Sequence, residues 1–234
     1  MSGSEALEGF LDKWRTRWPE WGVVEVFVPP AQRRTALAWF ALLQEFEDAM
    51  NIAGDPLPAD AKLGWWGEEL RDWSRHRSRH PLGRILEPCE APWATLAEML
   101  PRLAHARTRP LDQDTAFVGI EPLARALAAV EAAVFGATAS AAQVQAIALQ
   151  LLSSRVQHGA LQGVPLRVQG VAEPSVGSWQ SELLRRWPSS AGGPAPRRLV
   201  SALQQLRLGQ SSGRPGRAVH RLRILWIGWR AARG

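Results

Sequence analysis

The 234-residue chain has no tyrosine, one cysteine and only two lysines, Lys13 and Lys62. Without tyrosine, no phenol can act as a proton donor in any mechanism. The single Cys89 excludes an internal disulfide framework and a cysteine-based zinc site, and it suits a reducing compartment. No apolar run is long enough to span a bilayer. The N-terminal stretch MSGSEALEGFLDKWRTRW lacks the apolar segment of a secretion signal, so a cytoplasmic location is expected. No Gly-rich phosphate loop, G-x-S-x-G elbow or Cys/His nucleophile pattern is present. Acidic residues also run out. None follows Glu182, and residues 183–234 carry 11 arginines, which leaves −5 on the rest of a chain whose net charge is +6. Such a basic tail either packs on the chain's own acidic body or meets an acidic partner.

What is present is apolar and helical in pattern. Hydrophobic residues make up 46%, enough for a buried core, and 12 residues are tryptophan. Leu37, Phe40, Leu43 and Met50 recur at helical spacing in a long helix over 31–52, closed by GDPLP. Further helices are expected at 5–17, 59–77, 91–106 and 115–135, the last ending at Gly136, with a short one beginning at His80-Pro81. Ser140 is the N-cap expected for the next, which stops near Gly163. VVEVFV, between prolines, reads as an extended connection. Three shorter helices follow near 178–187, 196–208 and 217–232. The loops PSSAGGPAP and GQSSGRPG make 188–217 loop-rich, and mobility is expected there. The pattern predicts one all-α domain, a bundle of about ten helices.

The most specific stretch is AKLGWWGEELRDWSRHRSRHPLGRIL, residues 61–86. Ala61, Lys62, Leu63, Trp65, Trp66, Glu68, Glu69, Leu70, His80 and Pro81 match a pattern of the form AKL-x-WW-R-EEL…HP. Upstream, VFVPPAQRRTALAWFALLQEFEDAMNIAGDP matches FLP…R-x-A-L…R-E-x-DD-x-x-D. On these residues the chain resembles the squalene/phytoene synthase family. The resemblance is good over 25–87 and fades over 115–165. It implies an isoprenoid-synthase-like helical bundle. It also implies two acidic motifs that face each other across an apolar cavity and hold Mg²⁺ against prenyl diphosphates.

Both motifs depart from the family pattern. The first falls on Glu47, Asp48 and Asn51, so one aspartate stands in place and a neutral amide replaces another. Asn is a weak ligand for a small hard cation. The second follows Ala148-Leu149-Gln150-Leu151 and falls on Ser153, Gln157 and Leu161, with no acidic residue anywhere between Glu131 and Glu173. In-line ionisation needs charge positioned on the leaving group from both sides. The expectation is therefore a catalytically impaired relative with no cofactor. It would bind a lipid or isoprenoid ligand, or act as a scaffold; the family resembles, in a separate branch, assembly factors of respiratory complexes that have lost the same motifs. The alternative is an active prenyl transferase with altered ligands, and only that reading needs Mg²⁺. Arg34, Phe40, Gln44, Trp66 and Gln150 are candidates to line a cavity or face a phosphate.

Other features have plainer readings. Trp65-Trp66 suits core packing. His76 and His80 lie four apart but lack a third zinc ligand. Arg71, Arg75, Arg77, Arg79 and Arg84 suit a solvated face paired with Glu68, Glu69 and Asp72. Asp112 and Asp114 suit a helix cap. In RAVHRLRILWIGWRAARG, Val219, Leu222, Leu225, Trp226 and Trp229 form an apolar stripe with Arg217, Arg221, Arg223, Arg230 and Arg233 around it. Such a helix either lies on an anionic membrane or protein partner, or closes the bundle with its stripe inside; the second is the simpler expectation. A peripheral position at the inner membrane face follows from the first. Nucleic-acid binding would need a recognition motif, and none accompanies the charge.

Overall fold

A computed structural model describes residues 3–211 and 221–233. The described chain is all helical, with α1 Gly3–Arg17, α2 Trp21–Val24, α3 Pro30–Met50, α4 Leu57–Trp73, α5 Gly83–Leu86 and α6 Trp93–Met99. There follow α7 Pro101–His105, α8 Gln113–Phe135, α9 Ala141–Gly159, α10 Val176–Arg186, α11 Ala195–Ser211 and α12 Arg221–Arg233. The ends obey local chemistry. Asp112 accepts the Thr115 N–H at 2.8 Å and caps α8. Gly136, at φ 63°, closes it in the left-handed conformation. Ser140 accepts the Gln143 N–H at 3.1 Å ahead of α9.

Two expectations change. VVEVFV is not extended: α2 runs into a 3₁₀ turn, Glu25–Phe27, and only Val28 leaves the helical region. The helix expected over 91–106 divides at Pro101, which cannot donate to the preceding turn, into α6 and α7. Residues 217–220 of the expected last helix, with Arg217 and Val219, lie outside the described residues.

One hydrophobic cluster extends from Leu7 on α1 to Ile224 on α12. Helix α3 lies at its centre, buried on nearly all sides from Ala36 to Leu43, with α1, α4, α5, α7 and α9 around it. Trp14, Trp21 and Phe40 stack at one end, and Phe46, Trp66, Trp73 and Trp93 at the other. Helices α8 and α9 form the closest long pair, and α11 packs on α9 and α12.

Candidate functional site

The signature stretch of α4 builds a turn. Glu69, fully buried, accepts the backbone N–H groups of Arg79 and His80 at 2.8 Å each and the Trp73 indole at 2.9 Å. Arg79 Nε at 3.1 Å and Ser78 Oγ at 3.2 Å complete the shell. Burial alone would raise the Glu69 pKa, but the donors of His80, Trp73 and Arg79 outweigh it and hold the carboxyl below its ordinary value. His80 sits against Phe10, Trp65 and Trp66. Its Nδ1 accepts the Leu82 N–H at 3.2 Å, so the proton of the neutral ring is on Nε2. Burial pushes its pKa down to about 4, against the pull of Glu45 and Glu69. A Cβ on Gly83 would fall 1.7 Å from Ser78 Oγ and 2.7 Å from its Cβ, so any other residue here would displace Ser78. His76 meets Glu87 instead, so the two histidines share no ligand site. Of the arginine run, Arg79 pairs with Glu69 and Asp72. These residues perform packing and turn closure.

The polar centre of the bundle lies elsewhere, where α3, α8, α9 and α11 meet. Glu131, fully buried on α8, accepts the Trp39 indole at 2.7 Å and Gln143 Nε2 at 2.8 Å. Arg197 of α11, also fully buried, places Nε 2.9 Å from both carboxylate oxygens and adds a second bond through Nη2. Its Nη1 donates to Gln150 Oε1, and its guanidinium lies 5.3 Å from the centre of the Phe40 ring. Gln150 Nε2 then donates to Glu47 Oε1 at 2.7 Å. A continuous relay of hydrogen bonds thus joins Glu131, Arg197, Gln150 and Glu47.

Along this relay the acidic groups are held by the chain's own donors. Burial raises the Glu47 pKa, only partly opposed by Gln150, Ser154 and His158. Asp48 turns to the rim, where Arg17 Nη1 bonds it at 2.5 Å and Gln44 Nε2 at 3.1 Å. Asn51 donates to Ser154 Oγ at 2.8 Å and accepts from Arg155 Nη1 at 3.2 Å. Glu47 and Asn51 therefore meet at Ser154, while Asp48 turns away to Arg17 and Gln44. The positions of the second motif do not face them as a set. Ser153 is buried, Gln157 lines an outer cleft that Glu47 also borders, and Leu161 is exposed in the 3₁₀ turn after α9.

This arrangement does not fit a magnesium–diphosphate centre. Two carboxylates, Glu47 and Asp48, remain, one desolvated and one paired with Arg17, and arginines occupy the surrounding positions. Among the described residues no group of three or more His, Cys, Asp or Glu is placed to hold a metal ion. On the apolar, inner side of Glu47 the enclosed space is too small for a prenyl chain. The void lined by Leu43, Phe46, Leu103, Leu127 and Leu151 is about 10 Å³, on the scale of one water. A second, between Trp14, Phe40 and Gln150, is also about 10 Å³. A cleft of about 520 Å³ opens on the outer side of the relay, lined by Glu47 itself with Arg17, Gln44, Gln157, His158 and Arg207.

The remaining candidates divide accordingly. Gln44 and Gln150 belong to the polar centre and its rim. Phe40 and Trp66 are core residues. Arg34 lies on the outside, 2.5 Å from Glu8. Glu131, Arg197, Gln143 and Trp39 were not among the expected site residues. Their one sequence signal is the lone charge of Glu131 inside the apolar run ALAAVEAAVF, since an unpaired glutamate is almost never fully buried.

The last helix corrects the expected bundle closure. Helix α12 packs through Ile224, Gly228, Ala231 and Ala232, and Leu222, Leu225, Trp226 and Trp229 remain exposed. No family model matches the chain, and neither a curated protein nor a solved structure does. Among the described residues no helix is long and apolar enough to cross a membrane.

Proposed function

We propose that this chain is a squalene/phytoene synthase-like protein whose centre no longer transfers prenyl groups, and that it works as a scaffold or assembly protein at the cytoplasmic face of a membrane. One observation carries the reading: Arg197, a fully buried cation, bridges Glu131 on α8 to Gln150 on α9 and, through it, to Glu47 on α3. An internal guanidinium does the charge neutralisation that a bound cation would do, but it cannot leave or take a phosphate oxygen without stranding Glu131. The tight apolar packing on the inner side of Glu47 supports the same reading, because a lipid tail would have no volume there, and the open cleft on its other side is bordered by Arg17, His158 and Arg207 rather than by further carboxylates. The basic α12 supports the membrane-side position.

A thermal-shift titration with farnesyl diphosphate, with and without Mg²⁺, tests it. A ligand that binds only the folded state raises the melting temperature. The expected result is no Mg²⁺-dependent shift. A Mg²⁺-dependent rise that disappears in Glu47→Ala/Asp48→Ala would restore the active prenyl transferase and overturn the proposal.

A further inference from the structure

The way α12 is attached leaves one face of it exposed among the described residues. Gly228 lies against α2, where an added Cβ would stand 2.6 Å from Val24 Cγ1. Arg198 of α11 donates to the carbonyls of Ala231 at 2.8 Å and Ala232 at 2.7 Å, holding the C-terminal turn. The small, close-packed face is thereby turned inward, and the large side chains must point out. Leu222, Leu225, Trp226 and Trp229 are 68, 39, 55 and 43% exposed. They follow one another at intervals of three, one and three residues, so they share a single ridge.

The ridge is cationic at its borders. Arg221, Arg223, Arg230 and Arg233 flank it, and Arg230 and Arg233 lie over the Trp226 and Trp229 rings at 5.7 and 4.3 Å. None of these arginines is in an ion pair among the described residues, and no acidic residue follows Glu182. Next to the ridge a cleft of about 830 Å³ opens along the junction of α12 with α11 and the loop before it, lined by Trp226, Arg223, Arg230, Ser189 and Ser190. An apolar ridge standing proud of the surface, with cations along both borders, suits a planar, deformable, anionic surface. Trp and Arg are the side chains that occupy the boundary between acyl chains and headgroups.

We infer that α12 lies flat on an anionic lipid bilayer, with Leu222, Leu225, Trp226 and Trp229 in the acyl boundary and Arg223 and Arg230 holding lipid phosphates at the mouth of the cleft. The inference rests on the membrane-side position proposed above, not on the state of the buried centre. A helix of this length covers roughly 20 Å of surface, and its binding strengthens with anionic lipid and weakens with salt.

The test is co-sedimentation of the full chain with vesicles of phosphatidylcholine alone and of phosphatidylcholine mixed with phosphatidylglycerol. The expected result is binding to the mixed vesicles only, with a blue shift of tryptophan emission and loss at high salt. Trp226→Ser/Trp229→Ser should weaken it at least about tenfold. Arg223→Gln/Arg230→Gln should weaken it by about tenfold or more and remove the preference for anionic lipid. All four side chains are exposed, so the melting temperature should hold. Vesicle binding that both double variants retain would overturn the role of α12 while leaving the membrane position standing. Absence of binding to either vesicle would overturn both. Concentration-dependent dimerisation lost in Trp226→Ser/Trp229→Ser, without vesicle binding, would assign the ridge to a second copy of the chain and overturn the inference.

Discussion

Two fully buried glutamates are stabilised in opposite ways. Glu69 draws its donors from nearby in the chain: Trp73, four residues on, and the backbone of Arg79 and His80, ten and eleven residues on. Glu131 draws its cation, Arg197, from 66 residues away and one indole, Trp39, from 92. The first carboxylate closes a turn, and the second ties together helices that meet only in the folded bundle. A local donor set writes itself into a contiguous motif. A distant one leaves a lone glutamate in one helix and one arginine among many in another.

The largest expected effect would come from breaking the distant set. Arg197→Ala leaves Glu131 buried without a cation, and denaturant unfolding should show a loss of about 3–5 kcal/mol. Removing both charges in Glu131→Leu/Arg197→Met should recover at least half of it, because the unpaired charge and not the absent pair is what costs. A double variant as unstable as the single one would mean that the pair itself, with its Gln143 and Gln150 bonds, supplies the stability.

Glu69→Ala should cost less, about 3 kcal/mol, since two of its partners are main-chain N–H groups that water can reach once the turn opens and its cation, Arg79, is half exposed. Equal losses at the two sites would erase the contrast between them.

The pH response sharpens the comparison further. The His80 pKa is lowered from 6.5 to about 4, so the unfolded chain binds the extra proton between those values. Stability from His80 is therefore complete above about pH 6.5 and falls as pH drops toward 4. His80→Asn, which keeps an acceptor for the Leu82 N–H, should flatten the decline in melting temperature over that window.

The smallest effect is expected at Glu47. Its folded pKa is raised above 4.5, so its contribution declines as pH rises through 4.5 and up to the folded value. Glu47→Gln should be neutral or stabilise by up to about 1 kcal/mol at pH 7. A loss of more than that would show that the charged carboxylate is needed beside Gln150.

Much of the fold was legible in the sequence. The spans of α3 and α8, the cap at Ser140 and the stop at Gly136 follow from periodicity and from side chains within three or four residues of the groups they satisfy. The VVEVFV stretch was misleading because β-branched residues prefer extended backbone. Here Trp21 and Val24 instead face inward from a helical turn against the core and α12. In the candidate site, Glu47, Gln44 and Gln150 were recognisable, whereas Arg197 could not be told from the other arginines of the tail.

The sequence by itself determined the all-α class, the helix ends and the absence of any acidic residue between Glu131 and Glu173. These rest on short-range hydrogen bonding and on which atoms are present. Only the tertiary structure decided that Arg197 neutralises Glu131 and that α12 turns its tryptophans outward. Both depend on how closely helices distant in the chain can approach. Gly228 lets α12 sit against Val24 on its small face, and no periodicity records which of two helix faces finds that room.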